Sequence, residues 1–115
     1  MLAIAGYVEW PAEMREEMLA ILSEITDRSL RDEGCLAYWW AEDLVHVGRF
    51  RFFEAWANEE CHVAHQVAEY EQVFRRKTLT RATAAEADRY ELAGMETLPS
   101  EVTPPEGARM GGDTG

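Results

Sequence analysis

Cysteine and long apolar runs are scarce in this sequence, and each scarcity argues against a class of protein. The two cysteines, Cys35 and Cys61, form no CxxC or CxxH pattern, which disfavours a zinc site, thioredoxin-type chemistry and a secreted disulfide scaffold. No apolar run approaches the roughly 20 residues of a membrane span. The first ten residues lack the basic start of a signal peptide. We therefore expect a cytoplasmic protein with no membrane partner.

Positive charge is scarce as well. The chain has 11 Lys and Arg residues against 22 Asp and Glu, a net charge of −11, and its one basic cluster is the short segment 75–77. This balance argues against a nucleic acid or an anionic membrane surface as partner. The sequence also lacks a phosphate-binding glycine loop, a dinucleotide fingerprint and a nucleophile elbow, so kinase, Rossmann and hydrolase classes fit poorly.

The remaining composition is that of one globular domain. A chain of 115 residues with 47% hydrophobic residues can form a single core without disulfides or a structural metal. From about residue 97 the sequence becomes rich in proline and glycine and poor in large apolar residues. We therefore assign residues 1–96 to the folded domain and 97–115 to a flexible C-terminal tail.

The first half of the chain predicts a strand, a helix and a hairpin. Residues 2–10 contain β-forming side chains, and Pro11 ends this strand because it lacks a backbone donor. Apolar residues at helical spacing then predict an amphipathic helix of about 20 residues, with Gly34 placed to end it. The aromatic-rich segment 35–43 and the alternating segment 49–56 are close enough in sequence to form a hairpin.

The second half predicts a helix and a last strand. Asn58 is a good N-cap for a helical region that extends to about Lys77, and a break near Ala68 is compatible with its pattern. Residues 78–88 are rich in Ala and Thr, so local propensity does not decide their state. We expect a short final strand at 89–92.

This β-α-β-β-α-β order predicts a ferredoxin-like α+β sandwich, in which helices cover one face of an antiparallel sheet. Alternation along the third strand places on one face Phe50, Phe52, Glu54 and Trp56. Phe53 lies on the other face, and an apolar open face usually meets a partner. The simplest partner is a second copy, so we expect a homodimer whose two sheets close into an α+β barrel.

The most distinctive feature is Trp56 at the end of the third strand, followed nine residues later by His65. The strand and the next helix would direct both side chains into the cleft between sheet and helices. An imidazole exchanges protons near neutral pH, and an indole offers a flat apolar wall with one N–H donor. The alternative is structural: Trp56 is part of the core, and His65 is a buried imidazole with its hydrogen bonds satisfied.

Aromatic side chains are dense between the second strand and the second helix. They predict either a packed core with a dimer interface or an apolar pocket for a planar ligand. On the pocket hypothesis the substrate-binding residues are Tyr38, Phe50, Phe52, Glu54, Tyr70 and Phe74. His62 and His65 form an HxxH pair that could share a metal, but no third ligand stands at a specific spacing, so we expect no metal site.

Three segments in this order resemble the antibiotic biosynthesis monooxygenase (ABM) domain family. They are the run 32–38 (DEGCLAY), the run 50–56 (FRFFEAW) and His65 on the next helix. The family pattern is a strand with Gly-Cys and a tyrosine, a Glu-x-Trp strand end, and a histidine on the following helix. The resemblance covers roughly residues 2–93 and implies the dimeric α+β barrel.

The resemblance also implies an activity. It suggests a cofactor-independent monooxygenase that oxidises a phenolic, quinol or polyketide-like aromatic substrate with molecular oxygen as co-substrate, without metal or flavin. In such chemistry the substrate supplies the electrons, while the protein binds the ring, removes a proton and stabilises the anion. His65 would be the proton acceptor, Trp56 a pocket wall and donor to an oxygen atom, and Glu54 would orient one of them.

Two positions depart from the family pattern. Tyr70 stands where many relatives carry a second histidine, and the strand at 2–10 lacks the asparagine of haem-degrading relatives. Two alternatives to the oxygenase therefore stay open. One is a non-catalytic dimeric protein that binds a small ligand or acts as an accessory factor, and the lesser one is a haem-binding or haem-degrading protein.

Overall fold

A four-stranded sheet and three helices make up the described part of the chain, residues 1–100 of a computed structural model. The strands are β1 (Leu2–Glu9), β2 (Cys35–Glu42), β3 (Arg49–Trp56) and β4 (Ala84–Glu91). The helices are α1 (Arg15–Ser29), α2 (Glu59–Val67) and α3 (Glu69–Thr78). The predicted α+β order is confirmed. Most of the tail predicted at 97–115 lies outside the described residues, so its flexibility stays a prediction.

The sheet has the strand order β2-β3-β1-β4, and every neighbouring pair is antiparallel. The register places Glu54 of β3 opposite Ile4 on one side and Tyr38 on the other. Since side chains alternate between faces, these three residues lie on the same side of the sheet. This is the side that faces the helices, and it carries the candidate site.

The core fills the space between this side of the sheet and α1 and α3. Its buried members are Val8, Trp10, Met18, Leu22, Ile25, Tyr38, Phe50 and Phe74. Their side chains come from three strands, two helices and the loop after β1, so the core depends on contacts between segments that are distant in sequence. Burial of this apolar surface is the main force that holds helices and sheet together.

The first helix ends before Gly34, the residue that the sequence analysis places at its end. α1 ends at Ser29, and the backbone N–H groups of Arg31 and Asp32 donate to carbonyls only three residues back, at Arg28 and Ser29. Gly34 lies beyond these turns with φ of +77°, a conformation that favours glycine. Gly34 therefore shapes the turn into β2 and does not terminate the helix.

The last strand is longer and begins earlier than the predicted segment 89–92. β4 pairs with β1 along all eight residues, from Ala84 opposite Glu9 to Glu91 opposite Leu2. Alanine has little strand propensity, so the pairing with β1 decides the conformation of 84–88. The predicted break at Ala68 is confirmed, because its extended backbone (φ −62°, ψ 144°) separates α2 from α3.

The opposite side of the sheet carries no helix within residues 1–100. Trp39 and Phe53 are directly paired across β2 and β3, and their rings stack with centroids 5.9 Å apart. Trp39 remains 47% exposed. The predicted aromatic surface is therefore present on this side. No helix among residues 1–100 is long and apolar enough to cross a bilayer.

Candidate functional site

A cavity of about 300 Å³ lies between the sheet and the helices α2 and α3. Its apolar wall includes Ile4, Val8, Tyr38, Trp40, Phe52, Phe74 and Leu79. Its polar lining includes Glu54, His62, Gln66, Glu71 and Arg75. An apolar concave site with a few converging polar groups is the usual form of a small-molecule site.

The residues predicted from the sequence divide into two groups. Four of the predicted substrate-binding residues line this cavity: Tyr38, Phe52, Glu54 and Phe74. The other four predicted site residues do not line it: Phe50, Trp56, His65 and Tyr70. Phe50 belongs to the core. Of the remaining three, Trp56 and His65 lie in a buried layer next to the cavity, and Tyr70 is half-buried beside His65.

Trp56 and His65 are packed against each other between the sheet and α2, and neither lines the cavity. Their rings have centroids 4.7 Å apart and planes inclined by 35°. Trp56 has no exposed surface, and its indole N–H donates to Oε1 of Glu54 at 2.8 Å. Glu54 and Trp56 are two residues apart on β3, so both side chains lie on the same face. The indole N–H is thus committed to Glu54, and Glu54 reaches the cavity.

The Nδ1 side of His65 faces a tyrosine and a carboxylate. Nδ1 lies 2.9 Å from the Tyr70 hydroxyl and 3.1 Å from Oδ2 of Asp32, and the Tyr70 hydroxyl donates to the same Asp32 oxygen. The pKa of Asp32 lies below its usual value. Burial acts to raise it, but the hydrogen bonds from Tyr70, His65 and Arg28 outweigh the effect of burial. Burial, together with the bond to Asp32, raises the pKa of Tyr70. This arrangement holds the orientation of the imidazole.

The Nε2 side of His65 faces Glu71, which the sequence analysis did not single out. Nε2 lies 3.5 Å from Oε1 of Glu71, while Oε2 of Glu71 accepts a hydrogen bond from Nε of Arg75 at 3.0 Å. Burial raises the pKa of Glu71, against the opposing effects of His65 and Arg75. An acidic residue in the first turn of a helix is ordinarily solvent-exposed. No local signal therefore distinguishes Glu71 from its exposed neighbour Glu69.

His62 is the second polar residue of the cavity wall that is deeply buried. Burial lowers the pKa of His62, so the neutral imidazole is favoured. Its ring centroid lies 6.1 Å from that of Trp56. Within residues 1–100 no group of three or more His, Cys, Asp or Glu side chains is arranged to hold a metal ion.

Comparison with known proteins relates this chain to one family. The family model of the antibiotic biosynthesis monooxygenases matches residues 1–77. The chain belongs to the antibiotic biosynthesis monooxygenase family. The match runs from β1 almost to the end of α3 and includes Trp56, His65 and Glu71. The resemblance described from the sequence is therefore confirmed.

Similar proteins share this family's fold. An antibiotic biosynthesis monooxygenase candidate from Deinococcus radiodurans has a TM-score of 0.78 and 22% identity, over 87% of this chain and 100% of that one. A second such candidate, from Nitrosomonas europaea, has a TM-score of 0.75 and 15% identity, over 82% of this chain and 100% of that one. At these identities the likeness shows the fold alone. An uncharacterized protein of Synechocystis sp. is 29% identical over 84% of this chain and 67% of its own length.

Proposed function

We propose that this chain is a cofactor-independent monooxygenase that oxidises a phenolic, quinol or polyketide-like aromatic substrate with molecular oxygen. The observation that carries the proposal is a buried carboxylate, Glu71, in the wall of an aromatic-lined cavity. Because burial raises the pKa of Glu71, its carboxylate is a better proton acceptor than an exposed one. Membership of the family points to the same chemistry.

The proposed reaction begins with proton transfer from the bound aromatic substrate to Glu71. The resulting anion transfers electrons to oxygen, and a carbon–oxygen bond forms to give a peroxide at the substrate carbon. Return of the proton to the peroxide and loss of water then leave a carbonyl group. In total the substrate loses two hydrogens and four electrons, molecular oxygen takes up these four electrons, and one oxygen atom enters the product while the other leaves as water with the two hydrogens.

The buried layer behind the cavity has a supporting role in this proposal. His65 faces Glu71 through Nε2, so it positions the base. Trp56 donates to Glu54 and so holds a second carboxylate at the cavity wall. Both residues therefore act through a glutamate, and they are positioning residues. This assignment differs from the sequence-based expectation that His65 takes the proton from the substrate directly.

We also propose that two copies pair through the side of the sheet that carries Trp39 and Phe53. Stacked aromatic side chains on a surface that is left open to solvent are costly to expose. Joining the same face of two copies would bury these rings and close the two sheets into the barrel expected from the sequence.

The function can be tested by oxygen consumption with a panel of an anthrone, a naphthol and a quinol in metal-free buffer with chelator. We expect uptake by the wild-type protein, and a decrease of about 10²–10⁴-fold in Glu71→Gln, the range for loss of a general base. Glu69→Gln changes an exposed carboxylate on the same helix and should leave the rate unchanged. Equal rates for Glu71→Gln and the wild type would contradict the role of Glu71.

The non-catalytic alternative is favoured by one specific observation. His65 has only 3% of its surface exposed, and both its ring nitrogens face protein side chains. The same panel decides between the two functions. Binding of the aromatic compounds without oxygen uptake above the buffer rate would identify a ligand-binding protein on this fold.

A further inference from the structure

A second cleft adjoins His65, apart from the cavity. This cleft, here called the Ala64 cleft, has a volume of about 260 Å³, and its lining includes His65, Asp32 and the exposed residue Ala64. The cavity and the Ala64 cleft have no lining residue in common within residues 1–100. His65 therefore lies between two spaces, one lined by Glu71 and the other by Asp32.

The groups around Nδ1 decide the tautomer of His65. Nδ1 lies 3.1 Å from Oδ2 of Asp32 and 2.9 Å from the hydroxyl oxygen of Tyr70, and this hydroxyl donates its own hydrogen to Asp32. The carboxylate and the hydroxyl oxygen therefore both act as acceptors toward Nδ1, so Nδ1 carries a hydrogen. In the neutral imidazole the opposite nitrogen, Nε2, then has no hydrogen.

Nε2 of His65 and Oε1 of Glu71, 3.5 Å apart, are thus two acceptors that face each other unless a proton lies between them. Oε1 is buried and has no hydrogen-bond partner within residues 1–100. Facing lone pairs are costly where water is excluded, and one shared proton removes this cost. Burial raises the pKa of Glu71, which favours a proton on the pair. Proton-transfer contacts are often long in a free enzyme and shorten when substrate binds.

The other titratable groups nearby leave this chain of contacts intact. His62, on the same helix as His65, is buried, and burial lowers its pKa and favours its neutral form. Tyr38 meets the imidazole ring to ring, with centroids 5.9 Å apart. Arg28 pairs with Oδ1 of Asp32 at 2.7 Å, so Oδ2 remains for the imidazole.

We propose that Glu71, His65 and Asp32 form a proton path, through which protons leave and re-enter the cavity by way of the Ala64 cleft. A proton on Glu71 passes to Nε2, the Nδ1 hydrogen passes to Oδ2 of Asp32, and Asp32 releases it to water in the cleft. Its hydrogen bonds keep the pKa of Asp32 low, so this release is favourable. A returning proton takes the reverse route and restores the first tautomer. Only protons move in these steps.

This inference rests on the proposed function for the source of the proton, which is the aromatic substrate. It adds a way to keep the substrate anion. A proton that stays on Glu71 can return to the anion before oxygen reacts with it, whereas a proton delivered to the Ala64 cleft cannot. A ring that fills the cavity keeps water away from Glu71, so the route through His65 serves when substrate is bound.

The first measurement needs no substrate. NMR of the full chain with isotope-labelled histidine gives the rate at which the Nδ1 hydrogen of His65 exchanges with water. Ala64→Trp places an indole in the Ala64 cleft and should slow this exchange about tenfold, an added barrier of about 1.4 kcal/mol. Val63→Trp adds the same side chain at an exposed position that lines neither space, and should leave the rate unchanged. Equal rates for Ala64→Trp and the wild type would overturn the path.

The second measurement starts from the cavity. In heavy water without oxygen, anthrone takes up deuterium at its acidic methylene group when a base removes a hydrogen and a solvent deuteron returns. We expect exchange above the buffer rate with the wild type, and a decrease of about 10²–10⁴-fold in Glu71→Gln. Ala64→Trp and Asp32→Asn should lower the rate about tenfold without weakening anthrone binding, because the hydrogen then returns to the carbon that it left.

Asp32→Asn distinguishes proton transfer from positioning. Asparagine keeps an acceptor for the Nδ1 hydrogen of His65 but does not take up a proton. If Asp32 only positioned the imidazole, this variant would exchange anthrone hydrogens at the wild-type rate, and the path would be overturned. Circular dichroism checks the fold of each variant, and Ala64→Trp changes an exposed residue, so it tests the path without disturbing the core.

The outcomes separate the path from the proposed function. Anthrone exchange that is lost in Glu71→Gln but unchanged in Ala64→Trp and Asp32→Asn would support Glu71 as the base and overturn the path. No anthrone exchange with the wild type would contradict Glu71 as the base. The imidazole measurement then decides alone: exchange slowed in Ala64→Trp and not in Val63→Trp supports the path, and equal exchange in both overturns it.

Discussion

Nε2 of His65 lies 3.5 Å from Oε1 of Glu71, and this pair connects a buried histidine to the wall of the cavity. The other ring nitrogen, Nδ1, faces Tyr70 and Asp32. His65 can therefore influence a bound ligand mainly through the carboxylate in front of it. A site of this kind separates the group that meets the ligand from the group that orients it.

The pKa of Glu71 makes a prediction about stability. Burial raises the folded-state pKa of Glu71 above its unfolded value, so folding favours the protonated carboxyl. The contribution of this protonated form to the free energy of unfolding is fully present below the unfolded pKa. It is lost as pH rises through the folded pKa. Relative to Glu71→Gln, the wild type should lose free energy of unfolding between about pH 4, the usual pKa of Glu, and neutral pH. Urea denaturation across this range measures the difference. Glu69→Gln should show no such trend, and a wild-type advantage that grows with pH would contradict the assignment.

The pKa of Asp32 predicts the opposite pH dependence. Burial acts to raise it, but the hydrogen bonds from Tyr70, His65 and Arg28 lower it overall, so the ionised form stabilises the fold above the unfolded pKa. Asp32→Asn should lower the free energy of unfolding by about 1.5–3 kcal/mol at pH 7, the range for hydrogen bonds to a charged group. This loss should shrink as pH falls through the folded pKa of Asp32. Glu33→Gln, which changes an exposed neighbouring carboxylate, serves as control. If Asp32→Asn lowered the free energy of unfolding equally at all pH values, the charge of Asp32 would not be the cause.

Replacing Trp56 should lower the free energy of unfolding by an amount that does not depend on pH near neutrality. Trp56→Phe removes part of a side chain with no exposed surface and leaves Oε1 of Glu54 without its donor. We expect the free energy of unfolding to fall by about 2–4 kcal/mol, from a core cavity together with an unsatisfied carboxylate. Urea denaturation of Trp56→Phe, Glu54→Met and the double variant separates the two contributions, since Met has no acceptor for the indole N–H and the cycle isolates the coupling between the residues. Additive effects would show that the indole–carboxylate bond contributes nothing.

The proposed dimer makes a prediction about mass in solution. Sedimentation equilibrium of the wild type should give twice the chain mass of 13.1 kDa. Trp39→Glu places a charge on the stacked aromatic surface and should give the monomer mass. Leu44→Glu changes a fully exposed residue in the loop between β2 and β3, away from this surface, and should leave the dimer intact. A wild-type protein that sediments as a monomer would contradict the pairing.

Local sequence patterns determined most secondary-structure elements of this protein and the faces on which their side chains lie. The period-2 alternation of β3 places Glu54 and Trp56 on one face whatever they pack against, and the extended residue Ala68 separates two segments that each read as helical. These periodicities depend only on backbone geometry, so the order of elements could be predicted from the sequence. The family pattern is carried by the same short segments.

Only the tertiary structure decided where the last strand begins and the composition of the cavity wall. Residues 84–88 join this strand because β1 offers its free edge, and no local propensity predicts this. Glu71 and Glu69 have the same side chain in the same helical turn, but Glu71 alone is buried, because its direction on α3 meets the sheet and His65. Burial and charge pairing depend on contacts between residues far apart in the chain, so the buried carboxylate of the cavity wall becomes visible only after the chain has folded.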